Sequence, residues 1–93
     1  MGKSCSSKMK IINRQGLHAR PAMEFVQAAS GFASDVRVRS DQDDADGKSV
    51  MELMMLAATQ GTEIEVTCVG ADAEDALAHL ALLVSRGFDE EED

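Results

Sequence analysis

Thr62-Glu63-Ile64-Glu65-Val66-Thr67-Cys68-Val69 alternates without a break. Successive side chains of an extended chain point to opposite faces, so Ile64, Val66 and Cys68 share one side while Glu63, Glu65 and Thr67 share the other. A strand that is apolar on one face and charged on the other belongs to a sheet covered on one side and wet on the other. Strands of a parallel sheet buried on both faces would read apolar throughout, and these do not. Residues 32–40 repeat the pattern, with Val36 and Val38 set between Asp35, Arg37 and Arg39. Lys8 to Asn13 is a shorter strand with Met9, Ile11 and Asn13 on one side and Ile12 out of step. The run Asp41-Gln42-Asp43-Asp44-Ala45-Asp46-Gly47 reads as an acidic turn region that a short strand can cross.

Between these strands the apolar period lengthens to three and four residues, the spacing of a helix with one buried stripe. Ala22, Phe25, Val26 and Ala29 form the first stripe. Pro21 is tolerated only in a first turn, so this helix begins near His18 or Ala19. Gly31 ends it. Ser49-Val50-Met51-Glu52 has the S-x-x-E form of a capping box and opens a second helix, with Val50, Leu53, Met54 and Ala57 as its stripe and Gly61 as its stop. Asp72 caps a third, with Ala73, Ala76, Leu77, Leu80, Leu83 and Val84 on one face and Gly87 past its end. The expected class is α+β, in the order β-α-β-(β)-α-β-α, with an antiparallel sheet covered by helices on one side.

Ninety-three residues allow one small domain. We read residues 1–7 as a disordered leader, 8–88 as the domain and 89–93 as a solvated acidic tail. Nine basic against seventeen acidic side chains give a net charge of −8, the wrong sign for nucleic acid. With no Trp or Tyr there is no stacking platform for single strands. No apolar run is long enough to insert in a membrane. Cys5 and Cys68 lie far apart without any C-x-x-C pair, so neither zinc nor any other metal is expected, and a reducing cytoplasm fits. The acidic loop fails as a calcium site, since Gln42 and Leu53 fall where acids are needed if Gly47 takes the sixth position. There is no phosphate-binding glycine loop, and no cofactor is expected.

The stretch Gly16-Leu17-His18-Ala19-Arg20-Pro21-Ala22 carries the chemistry. It sets an imidazole at the mouth of a helix, where unpaired N–H groups and the helix dipole favour an anion. Arg20 adds a fixed cation suited to phosphate oxygens, and Gly16 permits close approach. Arg14 and Lys48 are expected to surround His18, while nine acids are confined to the 41–46 loop and the tail. The site is locally basic on an acidic chain and suits phosphoryl transfer. A lone histidine at a helix start is more often a cap or a surface residue than a nucleophile, and the pattern by itself leaves phosphoryl transfer the minority reading. His79 lies off the third stripe and reads as a solvated residue.

This seven-residue stretch resembles the phosphorylation-site motif of the HPr family, the histidine-containing phosphocarriers of the bacterial phosphoenolpyruvate-dependent phosphotransferase system. Lys48-Ser49-Val50-Met51, Gly61-Thr62-Glu63-Ile64 and Gly70-Ala71-Asp72 fall where that family has comparable segments, so the likeness runs from Lys8 to Phe88. It implies an open-faced β-sandwich of four antiparallel strands with three helices on one face. It implies that His18 accepts a phosphoryl group on Nδ1 from phosphorylated enzyme I and passes it to an enzyme IIA component, with Arg20 beside the phosphohistidine. The chain is then a monomeric phosphoryl carrier rather than an independent catalyst. Ser49 matches the serine that an HPr kinase/phosphorylase phosphorylates in some bacteria, and Leu17, Val50, Met51 and Leu53 match an apolar docking patch. The 41–48 segment and Gly87-Phe88-Asp89-Glu90 resemble the nitrogen branch of the family, whereas Lys48-Ser49-Val50-Met51 resembles the sugar branch. A second reading stays open, in which the chain is a regulatory binding module of the nitrogen-branch or carbon-repression type acting through Ser49 and the Val50/Met51 patch.

Overall fold

The computed structural model describes residues 3–89. Four strands, β1 (Lys3–Lys10), β2 (Asp35–Ser40), β3 (Asp43–Asp46) and β4 (Glu63–Gly70), form one sheet in the order β1-β4-β2-β3. Every neighbouring pair is antiparallel. The helices are α1 (Ala19–Ser30), α2 (Val50–Met55) and α3 (Ala73–Ser85), with a 3-10 turn at Gly87–Asp89. Val36, Val38, Ile64, Val66, Cys68 and Met9 are buried beneath the helices together with Phe25, Leu80 and Val84, while Arg37 and Arg39 stand on the opposite, exposed face. This is the α+β open-faced sandwich, with its four antiparallel strands and three helices.

The first strand begins earlier than the alternation of apolar residues indicates. Lys3 to Lys10 pairs along its whole length with β4, from Lys3 opposite Gly70 to Lys10 opposite Glu63. Residues 3–7 are therefore sheet and not a disordered leader. They are serine-rich and polar because β1 is an edge strand, held by backbone pairing and by contacts such as the 2.7 Å bond between the Ser6 and Thr67 hydroxyls. Met1 and Gly2, and the tail beyond Asp89, lie outside the described residues.

Two helix ends also differ from the pattern. The second helix is only six residues long, closing at Met55, and the chain first turns left-handed at Ala57, φ 53°, before it reaches Gly61 at φ 91°. Asp72 stands at the N-cap position of α3, yet its side chain makes no cap bond. Its carboxylate instead reaches across to the start of β2, accepting from the Ala33 N–H at 2.8 Å and the Ser34 N–H at 2.9 Å, and from the Ser34 hydroxyl. The hydroxyl of Ser34, followed by the two backbone donors, holds the Asp72 carboxyl below the usual carboxylate range. Because the folded value lies below the unfolded one, this contribution to stability is present above the unfolded pKa and is lost as pH falls through the folded one. Asp72→Asn is therefore expected to be less stable than the parent at pH 7. Urea midpoints of the two chains should converge as the pH is taken well below about 4. A gap that persists unchanged in acid contradicts this role.

Candidate functional site

The site is built around the N-terminal mouth of α1. Asn13, Gly16 and Leu17 make the turn that leads into it. The Asn13 side-chain amide donates to the Gly16 carbonyl at 2.8 Å, and the Gly16 N–H donates to the Asn13 carbonyl at 3.2 Å. Leu17 then donates its N–H to the Ala58 carbonyl at 2.9 Å, tying this turn to the loop that links α2 to β4. Gly16 has φ +68°, and a Cβ there would overlap the Ala58 carbonyl oxygen and lie 2.8 Å from Thr59 Cα. Only glycine meets both demands.

His18 is the N-cap residue of α1, in extended conformation at φ −83°, ψ −169°, and its ring makes no cap bond. The imidazole is half-buried. The His18 carbonyl accepts the Ala22 N–H at 3.0 Å, and Pro21 has no N–H. The first-turn donors left for an incoming group are those of Ala19 and Arg20, both exposed. No acidic residue stands in that first turn, so nothing there offsets the positive end of the helix. Arg20 is exposed and makes no ion pair among the described residues, and Arg14 is exposed in the preceding turn. An imidazole, two backbone donors and an arginine thus share one helix end, an arrangement whose charge and donors suit a phosphate.

Lys48 does not belong to this cluster. Its ammonium donates to the Phe32 carbonyl at 2.9 Å, just past the C-terminal end of α1. His18 stands at the other end of that twelve-residue helix, about 18 Å away along its axis. A backbone carbonyl just past the end of α1 is a natural partner for an ammonium, and it captures Lys48 there.

Ser49 is the N-cap of α2, and its hydroxyl accepts the Glu52 N–H at 3.2 Å. The reciprocal half of the capping box is absent. Glu52 Oε1 accepts from the Asp46 N–H at 2.9 Å, while the Ser49 N–H goes to the Asp46 carbonyl at 3.0 Å. Removing the hydroxyl in Ser49→Ala should cost about 0.5–2 kcal/mol in urea unfolding, as for other caps. A chain as stable as the parent contradicts the capping role.

Two residues expected in an apolar docking patch are core instead. Leu53 is fully buried and Leu17 only 4% exposed. Val50 is half-buried and packs against the same core. On α2 the exposed apolar side chains are methionines, Met51 at 73% and Met55 at 75% with Met54, and Met23 on α1 is also open to solvent. Sequence reading placed Met54 on the buried stripe and left Met55 unassigned. Five of the six residues of α2 are apolar, and only the helix's observed shortness shows that they cannot all be buried. Leu17→Ala is expected to lose about 2–4 kcal/mol, the cost of emptying a core site. Met55→Ala should stay within about 0.5 kcal/mol, as surface changes do. Equal losses in thermal unfolding would contradict this division.

Among the described residues no cluster of His, Cys, Asp or Glu could hold a metal ion, and no helix is long and apolar enough to cross a membrane.

Residues 5–86 match the family model described as the PTS HPr component phosphorylation site. The phosphocarrier protein HPr of Neisseria meningitidis serogroup A is 46% identical over 84 residues, covering 90% of this chain and 94% of that protein. The phosphocarrier protein NPr of Escherichia coli K12 is 40% identical over 84 residues, covering 89% and 93%. The crystal structure of HPr-C-His from Thermoanaerobacter tengcongensis superposes with a TM-score of 0.90 at 39% identity, covering 95% of this chain and 99% of that one. With an imidazole at the mouth of α1 and this likeness along nearly its whole length, the chain belongs to the HPr family of phosphocarriers of the phosphotransferase system.

Proposed function

We propose that this chain is a cytoplasmic carrier that takes a phosphoryl group onto His18 Nδ1 from phosphorylated enzyme I and delivers it to an enzyme IIA component. What supports the reading most is the position of His18 as a non-capping N-cap residue, beside the open donors of Ala19 and Arg20. The lone pair of the neutral ring nitrogen forms the new N–P bond as the bond from phosphorus to the donor nitrogen breaks. The charge on the three equatorial oxygens falls where the helix N–H groups and the Arg20 guanidinium can meet it. Return transfer uses the same geometry in reverse. The resulting phosphohistidine remains a phosphoryl donor because its N–P bond is labile and the imidazole is a good leaving group. Leu17 does not serve as docking surface, and Met51, Met54 and Met55 take its place beside Val50. Flexible, polarisable methionines suit a face that must fit more than one partner in turn.

Incubation with enzyme I and phosphoenolpyruvate should add one phosphoryl group, labile in acid and stable in base, as read by intact mass. A competent enzyme I that leaves the mass unchanged overturns the proposal.

Ser49 supports a second, regulatory reading, because its half-buried hydroxyl lies at the start of the helix that carries the exposed methionines. Phosphate added by an HPr kinase/phosphorylase would sit at a helix N-terminus, where its charge is tolerated, and would alter docking more than folding. If regulation dominates, Ser49→Ala rather than His18→Ala abolishes the cellular phenotype.

A further inference from the structure

We propose that Cys5 and Cys68 form a reversible disulfide within the chain, joining the edge strand β1 to β4. The two cysteines lie directly opposite each other in the antiparallel β1–β4 register. Opposed residues of such a pair have Cα atoms about 4.5–5.5 Å apart and side chains on the same face of the sheet. A disulfide spans Cα separations of about 4.4–6.8 Å, a range that includes such an opposed pair. Both are free thiols in this structure, Cys68 fully buried and Cys5 half-buried against the same core. Far apart in sequence, they are brought together only because β1 extends back to Lys3.

The difference in burial orders the chemistry. Cys5 can be reached from solvent, whereas Cys68 is fully buried, and burial, and next the nearby Cys5, pushes its thiol up. With hydrogen peroxide as oxidant, the Cys5 sulfur attacks one peroxide oxygen and the O–O bond breaks. Hydroxide leaves as water, giving a sulfenic acid at Cys5. The Cys68 sulfur then forms the S–S bond as the Cys5 S–O bond breaks, releasing a second water. Two thiols are oxidised, one peroxide is reduced to two waters, and both thiol protons end in those waters. A dithiol reverses the bond by exchange. Cys5 lies five residues before the end of β1 that leads to His18, roughly 17 Å along the strand, so the bridge leaves the phosphoryl site open.

The test uses the full, reduced chain treated with hydrogen peroxide without denaturant, then quenched, unfolded and alkylated. The expected product is a monomer lacking both free thiols and two hydrogens lighter, with one peptide pair joining Cys5 to Cys68. Dithiothreitol should restore both thiols. In Cys5→Ser, which keeps the fold by retaining the buried Cys68, the remaining thiol should survive the same treatment and phosphoryl acceptance should be unchanged. Sulfinic acid at Cys5 beside an intact Cys68 thiol, a chain-to-chain dimer, or two untouched thiols would each overturn the proposal.

Discussion

His18→Ala is expected to take up no phosphoryl group from enzyme I and phosphoenolpyruvate, while unfolding within about 1 kcal/mol of the parent. The two parts of that result come from different features of one residue. The ring supplies the nitrogen that bonds to phosphorus, and no other group at the helix mouth can replace it. Arg20 is a permanent cation and the backbone N–H groups only donate hydrogen bonds. The helix, by contrast, takes no cap bond from the ring. The main-chain contribution, the His18 carbonyl accepting from Ala22, survives in alanine. Intact mass gives the first readout and urea unfolding the second. The chain has one other histidine, His79, exposed on α3 with its ring 5.7 Å from that of Phe32. A phosphoryl adduct that persists in the variant, on His79 or elsewhere, would remove His18 from its proposed role.

Gly16→Ala should be the most damaging single-methyl change in the turn before the site. Two costs add. A left-handed backbone at φ +68° is unfavourable for a residue with a Cβ, by about 1–2 kcal/mol. The added methyl also overlaps the Ala58 carbonyl oxygen, which must stay in place to accept the Leu17 N–H. Backbone cannot swing aside as a long side chain can, so the Gly16–Ala58 approach must open. We expect a total loss of about 2–4 kcal/mol, a large share of what a small domain has. Because Leu17 precedes His18 directly, the same opening shifts the imidazole from the helix mouth, and phosphoryl uptake should slow by more than the unfolded fraction explains. Uptake per folded molecule equal to that of the parent would show that the turn does not position the ring.

Much of the fold is present in the local pattern. Alternation in 62–69 and the apolar spacing of 22–29 and 73–84 specify strand or helix through neighbours a few residues apart, where backbone geometry alone decides which side chains share a face. Pro21 placed the start of α1 for the same local reason, and with it the ring of His18 at the helix mouth. What failed to show is equally instructive. Lys3 to Ser7 carry little apolar signal because an edge strand is held by main-chain bonds to its partner, which side-chain types do not record. Asp72 looked like a cap and turned instead to Ala33 and Ser34, contributed from far along the chain.

The residues of the candidate site divide in the same way. That a histidine, an arginine and a proline occupy one helix start follows from the sequence by itself, since all three lie within a single turn. Whether an apolar neighbour is core or contact surface does not, because burial depends on what the rest of the chain lays over it. Leu17 and Leu53 are covered, Met51 and Met55 are not, and Lys48 is drawn to a carbonyl beyond the far end of α1. Only the tertiary packing decides these, because a side chain's surroundings are set by strands and helices remote in sequence, and no local spacing encodes their distance.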